Sequence, residues 1–170
     1  DKKLCLKIAT LCNEAFVENP QDLKPFWRLR GRPTDKALIL AGAEIGLNKQ
    51  QLEKEFPKID EIPFNSQNKF IATLHQTKED KESRVLYVSG APEKIIELSS
   101  KVKGEVKEKE IDKNKLNQDL ENLTSKGLRV IAVAFKPLRI TNQSQLRIQK
   151  EINDLISVSY THLRAHETPE

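Results

Sequence analysis

The sequence predicts an α/β or α+β sandwich, in which paired strands carry helices packed on them. Three observations point there. Residues 70–75 (Phe-Ile-Ala-Thr-Leu-His) and 84–88 (Arg-Val-Leu-Tyr-Val) are β-leaning runs joined by a polar link, the pattern of a hairpin. Residues 128–135 (Leu-Arg-Val-Ile-Ala-Val-Ala-Phe) form a nearly continuous apolar run, as in a strand buried on much of both faces. Around these runs, segments with apolar residues at helical spacing recur, several closed by glycine.

Taken in order, residues 4–16 place Leu4, Ile8, Leu11 and Ala15 on one helical face. Cys5 and Cys12 share that face. Seven helical residues span about 10 Å, more than the roughly 7 Å a disulfide tolerates, so two reduced, buried thiols of a cytosolic protein are expected. Residues 19–31 read as a proline-containing loop with Phe26 and Trp27 tacked onto the core. Pro33 and Thr34 open a second helix, with Thr34 as N-cap, Asp35 at its positive end and Gly46 as its stop. Ala37, Leu38, Ala41 and Ile45 form its inward stripe. In the hairpin, Phe70, Ala72 and Leu74 share one face, and Pro92 then begins a helix through Leu98. Residues 101–115 alternate Lys and Glu around Gly104 and read as a solvated turn or loop. Asp112 caps a further helix carrying Leu116, Leu120 and Leu123, which Gly127 ends.

Composition bounds the class. A length of 170 residues suits about one domain with its own core. The chain is 37% hydrophobic and 32% charged, a soluble, globular balance. No apolar run approaches the roughly 18 residues that span a bilayer, and no signal peptide precedes the first helix. The start at Asp1, with no Met anywhere, reads as a fragment of something longer. The net charge of +4 is mild, and Lys and Glu interleave without forming a basic stripe.

The residues that carry chemistry sit mainly in two segments, with Arg129 and Asp35 outside them. In Glu61-Ile62-Pro63-Phe64-Asn65-Ser66-Gln67-Asn68-Lys69-Phe70, an aromatic ring and a lysine share one short segment. Phe64 can stack on a base, worth about 1–3 kcal/mol, or be an ordinary core side chain. Lys69 can meet polyphosphate without bidentate geometry, or simply be a surface lysine. Some twenty residues on, Ser89-Gly90-Ala91-Pro92-Glu93 forms a strand-to-helix turn whose Gly90 lets backbone approach closely. Arg129, in Lys126-Gly127-Leu128-Arg129-Val130-Ile131-Ala132, needs a salt-bridge partner or a wet pocket mouth. Asp35 favours a helix N-terminus with or without a ligand. His75 is an isolated strand histidine. His162 and His166 are four apart, but no other ligand supports a metal there, and none is expected. Neither a Walker-type loop nor a dinucleotide glycine fingerprint occurs.

These segments resemble, nearly letter for letter, the nucleotide-binding domain of P-type cation-transporting ATPases. Residues 64–70 are closest to the calcium pump and sodium–potassium pump branches, and the resemblance runs over about residues 4–138. It implies a mostly antiparallel sheet flanked by helices, with an ATP cleft at one edge. It further implies that Phe64 stacks on adenine, that Lys69 and Arg129 steer the phosphates, and that Gly90 and Ala91 let the backbone close on the base. Asp35 stands where the family usually has a glutamate near the adenine amino group. Ser89 replaces the lysine that the family carries before Gly-Ala-Pro-Glu, so a neutral hydroxyl stands where a cation is usual.

By that resemblance the parent is a translocase driven by Mg-ATP hydrolysis. It would sit with this domain at the cytoplasmic face of a membrane, working with phosphorylation, actuator and transmembrane domains of the same chain. The acceptor sequence Asp-Lys-Thr-Gly-Thr does not occur here, so these residues by themselves are expected to bind ATP weakly and hydrolyse none. No direct contact with the membrane and no nucleic acid partner is expected. Alternatives are a stand-alone or degenerate nucleotide-binding regulatory domain, which Ser89 favours, and a nucleic-acid-binding module, suggested by the pI of about 9.0 and Phe64. The nucleotide-binding domain is expected to occupy residues 1–156. Residues 157–170, with no periodic link to what precedes them, resemble a translated sequencing-adapter peptide and read as a non-native tail.

Overall fold

A computed structural model describes residues 1–142 and 147–163, with the backbone alone for 159–163. Its centre is a seven-stranded sheet in the order β3-β4-β5-β8-β9-β6-β7. The strands are β3 (Lys58–Ile62), β4 (Phe70–Gln76), β5 (Ser83–Gly90), β6 (Ser99–Lys103), β7 (Glu108–Glu110), β8 (Arg129–Arg139) and β9 (Leu155–Leu163). All neighbours run antiparallel except β6 and β9, which run parallel. Two short strands, β1 (Phe16–Val17) and β2 (Leu29–Arg30), make a separate antiparallel pair. The α+β sandwich with a mostly antiparallel sheet is the architecture observed.

Alternation along the central strands assigns side chains to two cores. Ile71, Val85, Tyr87 and Val133 face α1 (Lys2–Leu11), α2 (Pro33–Glu44) and α3 (Lys49–Glu55), packing on Ile8, Leu38 and Leu52. Phe70, Ala72, Leu74, Leu86 and Val88 face the other way, onto Ile95 of α4 (Pro92–Leu98), Ile148 of α6 (Ile148–Glu151) and Leu155. Helices cover both faces, so β4 and β5 are buried almost from end to end and read as unbroken apolar runs. Cys5 and Cys12 are buried thiols on the α1 face. Burial pushes the Cys12 thiol up to about 12, so it stays protonated. No helix among the described residues is long and apolar enough to cross a membrane.

Several local expectations are corrected. The first helix ends at Leu11, and Phe16 instead opens β1. The second helix is capped by Arg32, without a side-chain hydrogen bond, because Pro33 takes the first helical position and needs no donor partner. Thr34 therefore lies inside the first turn. Ile45 is 39% exposed and Phe26 68% exposed, so neither joins the core. Helix α3 had no periodic signal, since Leu52 is its one buried side chain. Residues 101–115 hold β6 and β7 and the start of α5 (Lys113–Ser125), not a plain loop. Their polar alternation belongs to the exposed edge of the sheet.

Strand β9 runs across the expected 156/157 boundary. Its register pairs Phe135 with Ile156 and Ala134 with Ser157, and the Ser157 side chain is buried. His162 lies on this strand, and His166 lies outside the described residues.

Candidate functional site

At the β4 start and the β5 end, one cleft of about 850 Å³ opens between α2, α5 and the sheet. Asp35, Phe64, Lys69, Ser89, Gly90, Ala91 and Arg129 all line it. Residues up to 94 positions apart in sequence (Asp35 and Arg129) thus meet because β4, β5 and β8 are sheet neighbours whose relevant ends coincide: Phe70 pairs with Gly90, and Gly90 with Ala132.

The wall from Phe64 to Gly90 is built by backbone. Asn65 Oδ1 accepts from the N–H groups of Gln67 (3.0 Å) and Asn68 (2.6 Å), folding the segment into a turn. Lys69 then adopts φ +58°, the left-handed region that side-chain-bearing residues enter at some cost. It is held there from both sides, its N–H donating to Asn65 O (2.9 Å) and its carbonyl accepting from Ala91 N–H (2.9 Å). A Cβ at Gly90 would press on Lys69 O and lie 2.7 Å from Phe70 Cα. The close approach that requires a glycine at 90 is therefore to strand β4. Ala91 is the N-cap of α4 and Pro92 its first residue.

Side-chain placement differs among the candidates. Phe64 is 37% exposed, a ring resting on the cleft rim and not a core residue. Lys69 Nζ reaches Glu93 Oε1 at 3.9 Å with both groups mostly in solvent, an arrangement worth little. Ser89 is buried at the back. Arg129 is exposed at the first position of β8 and makes no ion pair among the described residues, so the wet pocket mouth is where it lies. Asp35 sits in the first turn of α2, its side chain mostly covered, its carboxylate held by Arg32 at 2.9 and 3.0 Å. Across the cleft, Leu120, Glu121 and Thr124 of α5 complete the lining, and Cys12, Leu38 and Ile71 give it an apolar floor.

The family described as the cytoplasmic domain N of P-type ATPases matches residues 2–161. This chain belongs to that family. Among its relatives, a calcium-transporting ATPase of Lactococcus lactis is 33% identical over 162 residues, covering 93% of this chain and 17% of the relative. The cation-transporting ATPase pma1 of Synechocystis is 32% identical over 133 residues, 78% of this chain and 14% of that protein. The sodium/potassium-transporting ATPase subunit alpha of Drosophila melanogaster is 35% identical over 135 residues, 76% of this chain and 13% of that one. The chain thus spans about a sixth or less of the length of these P-type ATPases.

Within this N domain the cleft offers an aromatic face at its rim, an apolar floor, and cations at Lys69, Arg129 and Arg32 facing carboxylates at Asp35, Glu93 and Glu121. An apolar space with a few convergent polar groups suits a flat heteroaromatic ligand carrying anionic groups. Arg32 is the residue that sequence reasoning passed over. Its guanidinium carbon lies 4.2 Å from the centroid of the Phe64 ring, and it also pairs with Glu14 at 3.4 Å. The i to i+3 spacing of Arg32 and Asp35 on a helix start signalled their pairing, whereas the stack on Phe64 had no sequence signal at all.

Proposed function

We propose that this N domain binds ATP in the cleft. Within a parent cation pump at the cytoplasmic face of a membrane, it presents the γ-phosphate to an aspartate on a phosphorylation domain. Phe64 stacks on adenine, Asp35 accepts from its amino group, and Lys69 and Arg129 attract the phosphates, with Mg-ATP as the form used in the pump. Gly90 and Ala91 shape the floor beneath the base. Ser89 supplies a hydroxyl where a cation would add attraction, so affinity is weak, in the millimolar range or just below. The domain contributes positioning, worth far more to phosphoryl transfer than any proton-transfer group it lacks. The actuator and transmembrane domains of the parent then couple that transfer to cation movement.

The observation that supports this reading best is the meeting of all seven candidate residues on one cleft, in a chain of the P-type ATPase N-domain family. Amide NMR spectra of the chain during ATP titration test it, alongside Phe64→Ala. Saturable shifts centred on Phe64, Lys69, Gly90 and Arg129, lost in the variant, are expected. A folded chain with no shifts at several millimolar ATP overturns the assignment and leaves a degenerate domain. Shifts produced by oligonucleotides and not by ATP would point to the nucleic-acid alternative, with its steep salt dependence.

Residues 1–156 are the domain proper on this reading, and 157–170 an appended tail. Residues 157–163 pair with β8 through backbone groups, which almost any sequence without proline can supply. Exchanging them for an unrelated strand-forming sequence should leave the ATP shifts in place; their disappearance would make the segment part of the domain.

A further inference from the structure

Arg32 holds two groups at once. Its guanidinium carbon lies over the Phe64 ring, 4.2 Å from the centroid, and its Nε and one terminal nitrogen both reach Asp35 Oδ2, at 3.0 and 2.9 Å. A flat, cationic group that stacks on an aromatic ring and donates two hydrogen bonds to a carboxylate makes the contacts an adenine would make with the same pair. The guanidinium and a base cannot both occupy that face of Phe64, and a base that donates to Asp35 Oδ2 must take the place of Arg32 there. Glu14, at 3.4 Å from the terminal nitrogen, is a second carboxylate within reach and lies outside the set that would touch a base.

We propose that Arg32 sets the nucleotide affinity of this domain by occupying the Phe64 face and the Asp35 carboxylate, and that nucleotide binding releases it onto Glu14. The inference rests on the ATP reading of the cleft. Arg32 is a positioning residue here: it touches the groups that bind the base, and exchanges with the base. The exchange is inexpensive because the Arg32 side chain is about half exposed and its ion pairs are screened. Arg32 also differs from Lys69 and Arg129 in sign of effect. They raise affinity by attracting phosphate, whereas Arg32 lowers it by competing, even though it too is a cation.

Arg32→Lys separates the two effects, because lysine keeps the charge but loses the flat surface over Phe64 and the two-nitrogen grip on Asp35 Oδ2. ATP should bind Arg32→Lys about threefold to tenfold more tightly than the unaltered chain, from the worth of one exposed cation–π contact and one half-exposed ion pair. Arg32→Ala should also tighten binding, by less, since it gives up charge. Glu14→Gln should weaken it about twofold, and the Arg32 Nε–H resonance of the unaltered chain should move as ATP is added. Thermal unfolding of each variant checks that the fold is kept. If ATP binds the unaltered chain and Arg32→Lys binds it equally or more weakly, the competing role is overturned and the ATP reading stands. If neither chain binds ATP, both fall together.

Discussion

The two walls of the cleft are made differently. From Asn65 to Ala91 the wall is main chain: an asparagine-templated turn, a left-handed Lys69 clamped by two backbone hydrogen bonds, and a glycine on which β4 closes. From Arg32 to Asp35 the wall is a helix start with no side-chain cap, its shape set by half-exposed Arg32 and Glu14 and the mostly covered Asp35. The first wall is fixed when the sheet forms, because each part is a covalent neighbour of a paired strand. The second can rearrange at little expense, since exposed ion pairs contribute roughly 0–1 kcal/mol. On the proposed ATP reading, one rigid wall and one adjustable wall suit a site that grips its ligand and lets it go.

The largest test of that contrast is acid. His75 lies on β4, the strand that begins the rigid wall, and is fully buried between Phe56 O and Thr73 Oγ1, each 2.8 Å from a ring nitrogen. Burial lowers its pKa from 6.5 to about 4. Its folded-state value is depressed, so the unfolded chain takes up the proton first as pH falls. Stability is therefore complete above pH 6.5 and declines between pH 6.5 and about 4, by up to about 3 kcal/mol. Urea unfolding at pH 7.5 and pH 5 should show the loss, and His75→Gln should flatten it. An unchanged slope in that variant would assign the acid sensitivity to other groups.

Next comes Gly90→Ala, whose methyl must displace Lys69 O or the Phe70 backbone; a loss of about 2 kcal/mol of unfolding free energy is expected, with weaker ATP shifts. A variant as stable as the unaltered chain would mean that the β4–β5 junction gives way easily. Asn65→Ala removes the acceptor for two N–H groups and should cost about 1 kcal/mol, read in the same urea titrations. The smallest effect belongs to the other wall: Arg32→Ala should change stability by no more than about 0.5 kcal/mol while altering ATP affinity. A larger stability loss there would erase the distinction between the walls.

Much of this was legible in the residues. The hairpin of β4 and β5 and the strand β8 announced themselves because central strands must be apolar on both faces. Pro92, Asp112 and Gly127 marked helix ends because capping is local chemistry; Asp112 accepts from Lys115 N–H, and Gly127 takes φ +73°. What escaped notice was α3 and the β6–β7 edge, whose order comes from backbone pairing or a single buried leucine and leaves no pattern in side-chain type.

The sequence by itself determined the sheet's core strands and the family, and singled out the seven residues proposed to hold a nucleotide, because period, capping and motif are properties of neighbouring residues. The tertiary structure alone decided that those seven share one cleft, that Gly90 lies against Lys69 O and the Phe70 backbone, and that Arg32 lies over Phe64. Those are contacts between segments brought together by strand order, which no local pattern encodes.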